Sequence, residues 1–299
     1  MSLAIAVLLL AVACSMTCAL PGTFLVLRKQ SMLVDAMSHA VLPGIAVGAL
    51  ISGSTRSPIM IALASAMGLV VVWGASWLRS TGLITGDANQ GLIFPALFAL
   101  GVLLLSTVLS SVRLDEDSIL SGDLNLNALP QNHLIFAGLS FGPAALWQLV
   151  GVTALNVAFL AVFYRVIKVS SFDPSLARVM GFPVRAAEWG FMLCVAITVV
   201  VAFETAGAIL VVALIVVPPA TAQLVAKSLP QMLVITQVVA LASACAGFAV
   251  AYVFDLPTAA LMAVIDGLLF LAVLLAVRVR HRLMLGKAAA PREGNVATS

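Results

Sequence analysis

The sequence predicts an all-α, polytopic integral membrane protein with about nine transmembrane helices, roughly eight to ten being the range its length allows. Composition and run length carry this expectation. Of 299 residues, 63% are hydrophobic and 9% charged, where soluble domains hold about 45–50% and about 25%. The apolar residues run continuously over helix length, unlike the alternating strands of about ten residues that build an outer-membrane barrel. The net charge of +3, from 15 basic and 12 acidic residues, is too mild and dispersed for a nucleic-acid surface, so no nucleic-acid partner is expected.

The first apolar run covers 3–27. No Lys or Arg precedes it, so it lacks the basic leader of a secretory signal peptide and reads as a span. Further runs lie at 33–52, 58–78, 90–112 and 144–167. The stretch 187–226 has no polar loop yet is too long for one crossing; breaking it at Glu204-Thr205-Ala206-Gly207 gives spans at 187–204 and 207–226. Pro218 and Pro219 are expected to break or kink the second of these, because proline lacks the amide that a helix interior needs. Runs at 231–254 and 257–279 complete the set. Residues 1–283 thus form one transmembrane domain, and 284–299 read as a disordered cytoplasmic tail. Cys14, Cys18, Cys194 and Cys245 all fall inside apolar runs and read as small buried hydrophobes.

The distribution of basic residues tests the span count. With the N-terminus outside, thirteen of the fifteen Lys and Arg residues fall on the cytoplasmic side and only Arg56 and Arg113 outside. Joining 187–226 into a single span would place the basic C-terminus on the wrong face. The outer loop after the fourth span carries Asp115, Glu116, Asp117 and Asp123.

An ionisable group within a span costs roughly 2.5–3.5 kcal/mol on insertion scales and marks a functional position by default. Asp35 and His39 lie four residues apart in Ser31-Met-Leu-Val-Asp35-Ala-Met-Ser-His39-Ala-Val-Leu-Pro43-Gly44, on one helix face. Carboxylate oxygen plus imidazole nitrogen suits manganese, iron(II) or zinc. Two ligands are too few for a tight site, and a symmetric dimer with this face on its axis would double them. Equally, Asp35 fits a helix cap and His39 a hydrogen bond to a neighbouring helix; spacing alone does not separate the two. Glu204 stands at the outer end of a span, where a boundary carboxylate is ordinary and an outward gate is the sharper alternative. Asp266 lies deeper in the last span and reads as a buried polar contact with another helix.

Between two spans on the basic side, Ser171-Phe-Asp173-Pro174-Ser-Leu-Ala-Arg178-Val-Met-Gly181-Phe-Pro183 encodes a helix of about two turns. Asp173 is an N-cap, Pro174 fits the first turn, Gly181 fits the left-handed residue past the end, and Pro183 follows. So short a helix needs a packing partner, either a soluble protein or the same chain. No phosphate-cradling G-x-x-x-x-G-K-[ST], H-E-x-x-H or G-x-S-x-G run occurs, which favours transport over catalysis.

The order of motifs resembles the membrane permeases of manganese, zinc and iron ABC importers. The resemblance rests on Gly22 through Gly44, Phe172-Asp173-Pro174 through Gly181, Gly207 through Ala222, and Gly91-Leu-Ile-Phe94-Pro95 through Gly101 with Leu114-Asp-Glu-Asp117. It implies a type II ABC importer fold in the bacterial inner membrane and a homodimeric or heterodimeric pair of permeases. It also implies two cytoplasmic ATP-binding subunits and an extracytoplasmic metal-binding protein. It assigns Asp35 and His39 to the translocation path, and Asp173, Pro174, Leu176, Ala177, Arg178 and Gly181 to the helix that couples to the ATPase. The metal is then a substrate, with no permanently bound cofactor. The Phe94-Pro95 pair and the acidic loop lean towards manganese, then iron or zinc. The rival reading is a proton-driven secondary transporter with Asp35 and Asp266 as relay carboxylates.

Overall fold

In the computed structural model, which describes residues 2–52, 58–82, 88–107, 123–129, 133–136 and 139–289, the first apolar run forms α1 (Leu3–Leu27). The second run divides into α2 (Met32–Ala40) and α3 (Leu42–Ser52). Two longer helices follow, α4 (Pro58–Ser80) and α5 (Ala88–Thr107). After a short α6 (Leu124–Asn127), an antiparallel hairpin pairs β1 (His133–Phe136) with β2 (Leu139–Pro143). The remaining helices are α7 (Ala144–Phe172), α8 (Pro174–Val179), α9 (Val184–Ala206), α10 (Ala208–Val225), α11 (Leu229–Phe254) and α12 (Thr258–Ala289). Arg56, Arg113, Asp115, Glu116, Asp117 and residues 290–299 lie outside the described residues.

Among the described residues, seven helices are long and apolar enough to cross a membrane, and two shorter apolar stretches, Met32–Gly48 and Gly91–Leu104, stand between them. Among the described residues the nine expected runs are thus helical, with two of them short. The all-α expectation stands, one short hairpin apart. Two expectations about single elements need correction. The second run is interrupted at Val41, where Pro43 has no amide to offer the His39 carbonyl. And Pro218 and Pro219 sit inside an unbroken α10, held by packing against α1, α11 and α12.

The expected break after Glu204 is present. Gly207 separates α9 from α10 with φ of 84° and ψ of 161°, a conformation open essentially to glycine. The bundle falls into two groups: α1 packs with α7, α9, α10 and α11, while α2 to α5 pack on one another and reach the rest through α9 and α10. Of the long helices, α9 is the most buried and α12 the least. Polar pairs tie the helices where lipid offers no hydrogen bonds: Ser15 donates to the Ala240 carbonyl at 2.9 Å, and Asn156 donates to Thr198 Oγ1 at 2.8 Å. At one end of the bundle Asn127 donates to the carbonyls of Glu204 and Thr205, capping α9, and Thr258 donates to Asn125. Arg28 and α8 lie at the opposite end.

Cys14, Cys18 and Cys194 are buried free thiols, as expected, but Cys245 is exposed on the flank of α11. The last helix continues to Ala289, taking in the first six residues of the expected tail.

Candidate functional site

Asp35 enters the site from the first turn of α2 and His39 from its last turn. Their facing atoms, Asp35 Oδ1 and His39 Nε2, are 3.6 Å apart. Two donors each about 2.1 Å from a tetrahedral cation stand about 3.4 Å from one another, so one ion fits between them with almost no rearrangement. At the start of α2 the N-cap residue is Ser31, whose side chain makes no capping bond. The His39 ring lies against two aromatic rings of α5, tilted on Phe94 at 5.6 Å and edge-on to Phe98 at 6.0 Å. Those rings restrict the imidazole while Nε2 stays turned to Asp35.

The neighbouring helices hold this face in place by close approach. A methyl group on Gly44 would come within 2.7 Å of the Leu63 carbonyl and of Ala64 Cα, so α3 lies directly against the backbone of α4. On α5, a methyl group on Gly101 would meet Pro43 at 2.9 Å. The two side chains remain accessible, 42% exposed for Asp35 and 40% for His39. The pair therefore faces out of the protomer rather than into its core. Among the described residues no group of three or more His, Cys, Asp or Glu side chains converges, here or elsewhere.

Asp266 does not join them. It sits on α12, which packs on α10 and α11, whereas α2 packs on α4, α5, α9 and α10. It is fully buried, and neither carboxylate oxygen has a hydrogen-bond partner; the Ser243 hydroxyl of α11 donates instead to the Ala240 carbonyl. Asp35 and Asp266 thus stand on helices with no direct packing of comparable extent between them. Glu204 occupies the last turn of α9, with its carbonyl held by Asn127, at the far end of the bundle from α8.

The segment 173–181 folds as its capping residues dictate. Asp173 Oδ1 accepts from the amides of Ser175 and Leu176, both at 2.9 Å. At the other end Gly181, with φ of 75°, donates to the Arg178 carbonyl while Phe182 donates to that of Ala177, the paired reversal of a Schellman motif. Ala177 is buried against the chain, while Leu176, Val179 and Met180 are exposed. An apolar edge of a two-turn helix therefore projects from the end of the bundle.

Arg28 was missed by sequence reasoning, which used it only as one basic residue among thirteen. Its side chain is 9% exposed. Nε donates to Ser171 Oγ and Nη2 to Ser170 Oγ, both at 3.0 Å, and Nη1 stands 3.8 Å from Glu188 Oε1. Its signal is absent from local sequence, because its partners are more than 140 residues away.

A bundle of apolar helices with a half-exposed carboxylate–imidazole pair and an external two-turn helix defines a multi-pass membrane permease. The chain belongs to the ABC 3 transport family, whose model matches residues 1–277. It is 38% identical over 254 residues to the manganese transport system membrane protein MntD of Bacillus subtilis, spanning 85% of each chain. It is 39% identical over 269 residues to the zinc transport system membrane protein TroD of Treponema pallidum, covering 90% of this chain and 72% of that one. Among solved structures it matches a chain of PsaBC from Streptococcus pneumoniae in complex with Fab, with a TM-score of 0.72, 26% identity and 89% coverage of both chains.

Proposed function

We propose that this chain is the membrane permease of an ATP-binding-cassette importer for a divalent transition metal ion, with manganese favoured, then iron or zinc. The observation that carries the reading is the 3.6 Å approach of Asp35 Oδ1 and His39 Nε2 on an accessible face. Relatives whose names state manganese and zinc transport support the class of ion. Two protomers, alike or different, meet at this face and surround the ion with two carboxylates and two imidazoles. The site is transient, because an ion that binds tightly does not leave.

An extracytoplasmic metal-binding protein delivers the ion, and two separate cytoplasmic ATPase subunits close against α8 through Asp173, Pro174, Leu176, Ala177, Arg178 and Gly181. The capping of α8 and its exposed apolar edge support that contact. The N-terminus lies outside and the C-terminus in the cytoplasm of a bacterial cell, an orientation supported by the bias of basic residues. Glu204 then stands at the outer mouth as a boundary carboxylate, an outward gate being the sharper alternative.

The test is cellular metal content in a strain whose uptake depends on this chain, its ATPase and its binding protein. Asp35→Ala and His39→Ala each reduce accumulation of manganese to the level of the strain lacking the permease, with the variant still present in the membrane. Unchanged accumulation in either variant rejects the site.

A further inference from the structure

The short helix α8 packs on α7 and α9, its neighbours in the chain, and makes no comparable contact with α1 or α2. Anything that moves α8 therefore reaches α2, with Asp35 and His39, only through an intermediary. Two connections serve: α9, which packs on both α8 and α2, and the side chain of Arg28. Arg28 follows α1 and precedes α2 by only three residues, Lys29, Gln30 and Ser31. Its guanidinium holds both flanks of α8: Ser170 and Ser171 close α7, immediately before the Asp173 cap, and Glu188 opens α9 just beyond Pro183.

The connection on the α2 side is stiff. Lys29 takes a left-handed φ of 56°, uncommon for a residue other than glycine. Lys29 donates to the Val26 carbonyl at 3.0 Å and Gln30 to the Leu25 carbonyl at 2.9 Å, so the corner is a closed reversal rather than a free loop. The guanidinium itself is held from a second direction, 5.3 Å over the ring of Phe191, which meets Phe24 of α1 edge-on. Beside it a cavity of about 250 Å³ is lined by Arg28, Gln30, Pro174, Arg178 and Glu188 among others. The Arg28 fork spans one side of this space, from Ser170 and Ser171 to Glu188.

We propose that Arg28 is the positioning residue that transmits displacement of α8 to α2, and so sets the Asp35–His39 pair according to the state of the ATPase. A planar guanidinium carries this role because it binds two hydroxyls at fixed spacing, which the point charge of lysine does not. The inference rests on the proposed reading of α8 as the ATPase contact and of Asp35 with His39 as the ion path.

The experiment measures ATP hydrolysis and manganese uptake in the same proteoliposomes, carrying the full transporter with its ATPase and binding protein. Arg28→Lys leaves hydrolysis within about twofold of the parent and lowers uptake per ATP about tenfold, within the usual range of coupling between sites. Ser170→Ala with Ser171→Ala, which keeps Arg28 on Glu188 and Phe191, lowers the same ratio and carries the test should the lysine variant fail to assemble. An unchanged ratio in the double variant overturns the proposal. So does a fall of hydrolysis and uptake in parallel with lowered thermal stability, the result of a merely structural role. Absence of ATP-driven uptake by the parent transporter, by contrast, rejects the underlying functional reading.

Discussion

Pro219 has no amide hydrogen, so the carbonyl of Ile215 one turn earlier loses its helical donor, and Gly22 of α1 comes to lie against it. A methyl group on Gly22 would fall on that carbonyl oxygen and meet Pro219 Cγ at 3.1 Å. Gly22→Ala therefore destabilises the protein by about 1–3 kcal/mol, the usual cost of forcing a methyl into a packed interior. Gly267→Ala, where nothing lies within 4 Å, leaves stability unchanged or slightly raised. Thermal unfolding in detergent compares the two directly. The same scale separates what local sequence discloses from what it hides. Asp35 and His39 were readable because one helical turn brings them together, and their placement on an accessible face needed the structure. Arg28 was not readable as a hub, because Ser170, Ser171 and Glu188 reach it only through the packing of α1 with α7 and α9.

At the scale of elements, α8 is the clearest case of local chemistry deciding local structure. Asp173, Pro174 and Gly181 each satisfy a backbone requirement within their own turn, so the helix was legible without knowledge of its neighbours. The corner at Gly207 was legible for a related reason, since the span length forces a break and glycine supplies the φ. The division at Val41 and the hairpin at 133–143 were not. Both lie in apolar stretches where periodicity alone does not tell one element from another. The prolines of α10 do not end their helix, which tertiary contacts carry through them. The exposed edge of α8 carries the element-scale prediction. In a Cys245→Ser background, which removes the exposed thiol, Leu176→Cys crosslinks to the ATPase subunit in at least one nucleotide state. A transporter that turns over with no crosslink in any state places the ATPase elsewhere.

For the molecule as a whole, the apolar composition that excluded a soluble fold also sharpens the few charged groups left within the bundle. Asp266 is buried on α12, which packs on α10 and α11, while Asp35 and His39 stand half-exposed as a pair on α2. On the proposed reading a second protomer completes the coordination of that pair, and the chain works as one half of an ATP-driven permease rather than as a carrier on its own. The most direct test is manganese uptake by proteoliposomes containing the chain with its ATPase and binding protein. The account predicts uptake that requires ATP and both partner proteins and is lost on Asp35→Ala or His39→Ala. Uptake by the chain alone under a proton gradient, or ATP-driven uptake indifferent to both substitutions, would contradict it.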